Sequence, residues 1–273
     1  MNQILRASIR TGTRIANLVP YGMSLVSGLE VYFAQLQGIG YVTSLKEETL
    51  AAMKTIHSPS PTIFDVGANR GDWTRNLLAS LPQARIYAFE PSPTNIDKLE
   101  KMKDDRVTIV PTAVSNFEGT ASLYTTHSGS ESASLFNYRP PSTQPPVALD
   151  REKIQVTTLD TFVKQHQITS IDFMKMDLEG GEYAALEGAV ETLGAGIIRA
   201  LSFEFGQSNI FSKTYLNDFW FLLNKFSFGL NIIGPTGILI PIREYSSRYE
   251  VLRFSNLIAI HDSVKIRPTN YHR

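Results

Sequence analysis

The stretch TIFDVGANRGDWTRNLLASLPQARIYAFEP, residues 62–91, decides how this chain folds. Thr62 to Val66 is a short apolar run, Gly67 to Gly71 is able to turn, and Trp73, Leu77, Leu78 and Leu81 recur at helical spacing. That is the order strand, glycine turn, helix. Arg85 to Phe89 is a second buried-strand run, and it stops at Glu90. An acid at this distance from a glycine turn stands where nucleotide-binding βαβ units place the acceptor for the ribose hydroxyls.

The residue types narrow the ligand. Glycine at 67 permits a backbone conformation closed to other residues and lets a ligand lie against the main chain. Where a dinucleotide site has a second glycine to seat a pyrophosphate, this chain has Asn69, and the strand ends in Asp65 just ahead of the turn. An acid at that mouth repels phosphate and attracts an ammonium group. Asp65, Gly67, Asn69, Gly71 and Glu90 therefore read better as a site for S-adenosylmethionine than for NAD. The structural alternative is a glycine turn in some other α/β domain.

With 273 residues, 42% of them hydrophobic, the chain is able to bury one large core with room for a small appendage. Basic and acidic residues balance at 26 each, so no global field recruits nucleic acid. Cysteine is absent, which excludes disulfides, thiolate catalysis and cysteine metal sites. The uncharged run between Arg14 and Glu30 is interrupted by Asn17, Pro20, Gly22 and Gly28, too short and broken for a membrane-spanning helix. The expectation is a cytoplasmic protein.

Residues 1–57 read as a helical N-terminal extension, closed by the Pro-containing break at His57 to Pro61. Arg6, Arg10 and Arg14 recur every four residues; such a face could lie on anionic lipid as a peripheral contact, or be a solvated surface. Leu29 to Leu36 is apolar enough to pack on the core, on a second subunit, or over the active site. Residues 58–273 read as the main domain. Pro91 and Pro93 open a helix, and Val107 to Pro111 is a third strand running into Thr112, Ala113, Val114 and Ser115. Those small residues could line an adenine, or simply form a strand-to-turn junction. Gly119 to Tyr124 reads as an extra strand. After it comes a lid-like insertion, residues 124–153, holding His127 and four prolines. A lid is preferred to an interdomain linker because the chain from Ile154 onward is expected to resume the same sheet.

IDFMKMDLEGGE, residues 171–182, is the second informative stretch. Ile171 to Met176 reads as a buried strand, Asp177 as its end, Gly180 and Gly181 as a turn, and residues 182–193 as one helix with Tyr183, Leu186, Val190 and Leu193 inside. Ligands of open α/β sheets sit beyond the strand carboxyl ends, so Asp177 is expected across the crevice from Gly67. It could hold a substrate hydroxyl, bind a divalent cation or cap the following helix. Glu179 and Glu182 read as helix-start acids, and Lys175 as a snorkelling lysine or a partner near the site. A fifth strand ends in Glu204, beside Asp177. With Asn209 the two acids could make a Mg²⁺ site, polarise an acceptor hydroxyl, or be fixed by hydrogen bonds.

FDVGANRGDW (64–73), IYAFEPSPTNIDKLE (86–100), TAVSNFEG (112–119), VTTLDTF (156–162), IDFMKMDLEGGEYAALEGA (171–189) and LSFEFGQSNI (201–210) together resemble the FkbM-type S-adenosylmethionine-dependent methyltransferases. The resemblance implies a Rossmann-like class I methyltransferase: α/β, with a mostly parallel seven-stranded sheet and helices on both faces. It implies methyl transfer from sulfur to oxygen, with a sugar-containing acceptor. Asp65, Gly67, Ala68, Asn69 and Gly71 would hold the methionine part, Glu90 and Pro91 the ribose, and Ala113, Val114 and Ser115 the adenine. Asp177, bordering the cofactor, and Glu204 would face the acceptor, with His127 a further candidate from the lid. Two other readings stay open: an NAD-dependent oxidoreductase, which lacks an obvious Tyr-x-x-x-Lys pair here, and a non-catalytic nucleoside-binding component of glycan assembly.

Overall fold

A five-residue strand whose last four residues are buried, β1 (Thr62–Val66), lies in the middle of the central sheet in a computed structural model of the protein. The structure describes residues 8, 9, 12, 13, 16, 22–125, 130, 133–137 and 149–267. Arg6, Arg10, Arg14, His127 and most of the expected lid lie outside the described residues. Parallel strands flank β1: β2 (Arg85–Phe89) then β3 (Val107–Val110) on one side, β7 (Phe173–Met176) then β8 (Ala200–Phe205) on the other. Strand β11 (Ser255–His261) runs antiparallel between β8 and β9 (Phe228–Ile233). The three residues of β10 (Leu239–Pro241) add an antiparallel edge. The described order is β10-β9-β11-β8-β7-β1-β2-β3: the seven strands expected, plus that short eighth.

Alternate strand residues feed two apolar layers, as parallel strands covered on both sides require. Phe64, Val66, Met174, Leu201 and Phe203 point toward α5 (Leu159–Gln165) and α9 (Leu216–Lys225), where Phe203 stacks on Phe219 with centroids 4.5 Å apart. Ile63, Phe173, Ala200 and Ile258 point the other way, toward α2 (Leu45–Met53) and α3 (Asp72–Ser80). Trp73 of α3 stacks there on Phe173. Thus α2, from the segment read as an extension, covers the sheet with Ala51 and Ala52 fully buried. Ser44 and Glu47 form its capping box, and Glu47 also accepts a hydrogen bond from the Thr236 amide at 2.7 Å, tying the helix to the turn before β10.

Two expectations change. Residues 150–157 do not resume the central sheet: β6 (Asp150–Thr157) pairs with β5 (Gly119–Thr125) and β4 (Ala113–Val114) in a separate three-stranded sheet. The alternating burial of β6 suits a sheet with one covered face, not the middle of a doubly covered one. The single helix expected over 182–193 is two: α6 (Glu182–Glu187) and α7 (Val190–Gly194), leaving Val190 exposed. The break falls at Gly188, where a Cβ would stand 2.2 Å from the Ser115 carbonyl oxygen. Asp160 of α5 caps the restarted helix, accepting from the amides of Glu191 at 3.0 Å and Thr192 at 2.8 Å.

Candidate active site

On the α2 side of the sheet the strands are apolar at one end and charged at the other. The alternation carries Ile63 to Asp65 along β1, Phe173 to Lys175 to Asp177 along β7, and Ala200 to Ser202 to Glu204 along β8. Asp65 lies opposite Lys175 in the β1–β7 register, and Asp177 and Glu204 stand one position beyond the last β7–β8 pair, Met176 with Phe203. Four ionisable side chains thus crowd the carboxyl ends of three adjacent strands, where open α/β sheets bind their ligands. Helix α2 contributes a fifth, Glu48, which accepts from the Thr43 hydroxyl at 2.9 Å.

A cavity of about 400 Å³ opens at this edge. Asp65, Gly67, Ala68, Asn69, Glu90, Pro91, Ala113, Val114, Asp177 and Glu204 all line it, so most of the residues singled out from the sequence meet in one place. Gly71 and Ser115 do not. Gly71, at φ 82°, starts α3 against α4 (Pro93–Glu100), and a Cβ there would stand 2.7 Å from Leu99 Cδ2 and Met102 Sδ. Ser115 is buried one step further on and borders a different cleft. Thr112, read with Ala113 and Val114 as a possible adenine border, lines it too, and so do Leu45, Trp73, Phe89, Leu123 and Leu135, to which the sequence reading assigned no site role.

Glu90 is held by the turn it faces. Its Oε2 accepts from the Asn69 amide at 2.8 Å and its Oε1 from the Ser92 amide at 2.9 Å, while Asn69 itself takes a positive φ of 50°. Burial pushes the Glu90 carboxyl up, and these backbone hydrogen bonds oppose the rise. Asp65 is buried and likewise raised by burial, with Lys175 and the Thr74 hydroxyl opposing. Four buried polar atoms around the cavity have no partner among the described residues: Asp65 Oδ1, Asn69 Oδ1, Trp73 Nε1 and Thr112 Oγ1. Buried polar groups are nearly always satisfied, and all four of these belong to residues that line the cavity.

Lys175 is not a snorkelling surface residue. Its ammonium is buried and lies 2.7 Å from Asp177 Oδ2. Burial alone would pull it down, yet Asp177, Asp65 and Glu48 together hold it above the ordinary lysine value. No group of three or more His, Asp or Glu side chains among the described residues is arranged to hold a metal ion. Nothing among the described residues thus supports the Mg²⁺ reading of Asp177 and Glu204. Asn209 is otherwise engaged, its Oδ1 accepting from the Gly206 amide at 2.8 Å and its Nδ2 donating to Thr214 at 2.9 Å.

The remaining acids have few compensating contacts. Burial, then repulsion from Asp177 and its neighbours, pushes Glu204 up to about 9 and Glu179 up to about 8. Glu182 is pushed up to about 7 by burial, while its Oε1 caps the turn by accepting from the Leu178 amide at 2.7 Å, the helix-start role expected of it. All three folded values lie above the ordinary 4.5, so between about pH 5 and about pH 9 the folded chain holds more protons than the unfolded one. Stability then falls as pH rises through that window. The melting temperature of ligand-free protein should drop by several degrees from about pH 5 to about pH 9; a flat or rising profile would mean that these carboxyls are ionised in the fold.

The family model described as "Methyltransferase FkbM domain" matches residues 65–228. A curated relative, the 2-O-methyltransferase NoeI of Sinorhizobium fredii, is 25% identical over 168 residues, covering 58% of this chain and 69% of that protein. Among solved structures, an rRNA methylase from Streptococcus thermophilus gives a TM-score of 0.45 at 10% identity over 81% of this chain and 98% of that one. The plantazolicin methyltransferase BpumL in complex with SAH gives 0.41 at 11% over 89% and 91%. The matched span runs from the acid at the end of β1 to the start of β9, and so contains every cavity-lining strand end together with Asp177 and Glu204. With its sheet order, its cavity and that match in agreement, the chain belongs to the FkbM methyltransferase family.

Proposed function

We propose that this chain transfers a methyl group from S-adenosylmethionine to a hydroxyl of a sugar-containing acceptor. The observation that carries the reading is that four unpartnered buried polar atoms belong to residues lining the cavity that Glu90 also lines. They fit the cofactor's groups. Asp65 Oδ1 and Asn69 Oδ1 would accept from its ammonium, Trp73 Nε1 would donate to its carboxylate, and Glu90 would take the ribose hydroxyls. Thr112, with Ala113 and Val114 beside it, would border the base. Transfer to oxygen is supported by the relative named as a 2-O-methyltransferase.

When bound, the cofactor supplies a methyl group on a sulfonium already reactive toward oxygen. The chain's own task is to align the acceptor, exclude water and take its proton. Asp177 is placed for the last step, because Lys175 holds its Oδ2 and leaves the other oxygen to a hydroxyl in the cavity. Glu179 and Glu204 retain protons near neutral pH and so both donate and accept hydrogen bonds, which suits an acceptor carrying several hydroxyls. Neither the NAD-dependent oxidoreductase nor the non-catalytic component is favoured, since the family and the curated relative are methyltransferases.

Calorimetric titration tests the cofactor. Saturable binding of S-adenosylhomocysteine, with no binding of NADH and no change on adding Mg²⁺, is the expected result. Binding of NADH alone would overturn the assignment. Glu90→Gln should weaken S-adenosylhomocysteine at least tenfold, because an amide offers only one acceptor where Asn69 and Ser92 both donate. Unchanged affinity in that variant would remove Glu90 from the ribose site.

A further inference from the structure

Helix α1 (Gly22–Leu36) has one face with no covering partner among the described residues. Every residue from Met23 to Glu30 is exposed. Leu25, Val26, Leu29, Tyr32, Phe33 and Leu36, spaced at i, i+1, i+4, i+7, i+8 and i+11, form one apolar stripe, with Leu25 67% and Phe33 57% exposed. A contiguous apolar face of this kind on an otherwise well-buried protein marks a surface that something covers.

We propose that this face lies in the plane of an anionic lipid bilayer and holds the enzyme at the membrane surface. Charge selects that occupant. Residues 1–29 contain Arg6, Arg10 and Arg14 and no aspartate or glutamate, so the sequence leading into the stripe carries positive charge alone. The single charged residue of α1, Glu30, is engaged 3.4 Å from Arg253. A partner helix would ordinarily be selected by charges flanking the apolar seam, and α1 offers none free for that purpose. The helix is too short to span: its 15 residues are about 22 Å long, and no helix among the described residues is long and apolar enough to cross a membrane. Aromatic residues within the stripe, Tyr32 and Phe33, suit the headgroup region. Past the helix Val42 and Leu45 are also exposed, and Leu45 lines the cavity as well. Docking by this face would hold the enzyme where a lipid-linked acceptor is presented.

Co-sedimentation of the full chain with vesicles tests this without reference to methyl transfer. Vesicles of phosphatidylglycerol and phosphatidylcholine should bind the protein, vesicles of phosphatidylcholine alone should bind it far more weakly, and salt should release it. The variant Leu29→Glu with Phe33→Glu should lose binding while keeping its melting temperature, since both side chains are exposed in the fold. Replacing Arg6, Arg10 and Arg14 by Gln should weaken binding about a hundredfold, each arginine near an anionic surface contributing roughly fivefold. Failure of the wild-type protein to bind the anionic vesicles would overturn the proposal. So would a wild-type dimer, seen by light scattering, that ignores vesicles and that Leu29→Glu with Phe33→Glu converts to monomer.

Discussion

Asp177→Asn is expected to bind S-adenosylhomocysteine about as tightly as the wild type and to turn over a hundredfold to ten-thousandfold more slowly. The amide matches the carboxylate in shape, and its oxygen still accepts from Lys175 where the carboxylate does at 2.7 Å, so the site keeps its geometry. What it loses is an oxygen able to take the acceptor's proton. Glu204→Gln is the informative companion. Glu204 already carries a proton near neutral pH, so its replacement should cost turnover much less, no more than about tenfold. Single-turnover methyl transfer with both variants separates the roles. Full activity in Asp177→Asn would take Asp177 out of the mechanism, and a larger loss in Glu204→Gln would make Glu204 the base.

Gly67→Ala should damage the fold and the cofactor site together. Gly67 sits at φ 88°, and a Cβ there would come within 2.0 Å of the Asp177 carbonyl oxygen. The conformation alone costs an alanine about 1 to 2 kcal/mol, and relieving the overlap means pushing the β7 end away from the β1 turn. A total loss of about 3 kcal/mol or more is expected, with no detectable S-adenosylhomocysteine binding. Gly196→Ala is the control: its φ of 64° is also positive, but nothing lies within 4 Å of the added carbon. That variant should lose only about 1 kcal/mol and bind normally. Chemical denaturation of the pair isolates the contact from the backbone strain, and equal losses would show that the approach to Asp177 is not what demands glycine.

Much of the site was legible because its pieces are local. Asp65, Gly67, Asn69 and Glu90 lie within one strand-turn-helix-strand unit, whose short connections leave little freedom in where they meet. Asp177 and Glu204 could be read as strand-end acids from the same logic. Glu48 could not. Nothing near it in sequence is catalytic, although a signal existed: it precedes Ala51 and Ala52 by three and four residues, placing it on the helix face those residues bury. Trp73 was hidden differently, since an unpaired indole N–H is visible only once its neighbours are in place.

Periodicity and glycine placement determined, without any coordinates, the strand-turn-helix-strand unit built on β1, its glycine turn and the two acids at the ends of β7 and β8. Those are short-range consequences of which residues tolerate burial on both faces and which tolerate a positive φ. Tertiary structure decided the rest. It decided between the two readings of Lys175, making it the cation among Asp65, Asp177 and Glu48, sent residues 150–157 into a second sheet, and broke the helix at Gly188 against Ser115. It also left the apolar stripe of α1 uncovered among the described residues. Each of these depends on what another part of the chain brings within a few ångströms, and spacing along the sequence carries no record of that distance.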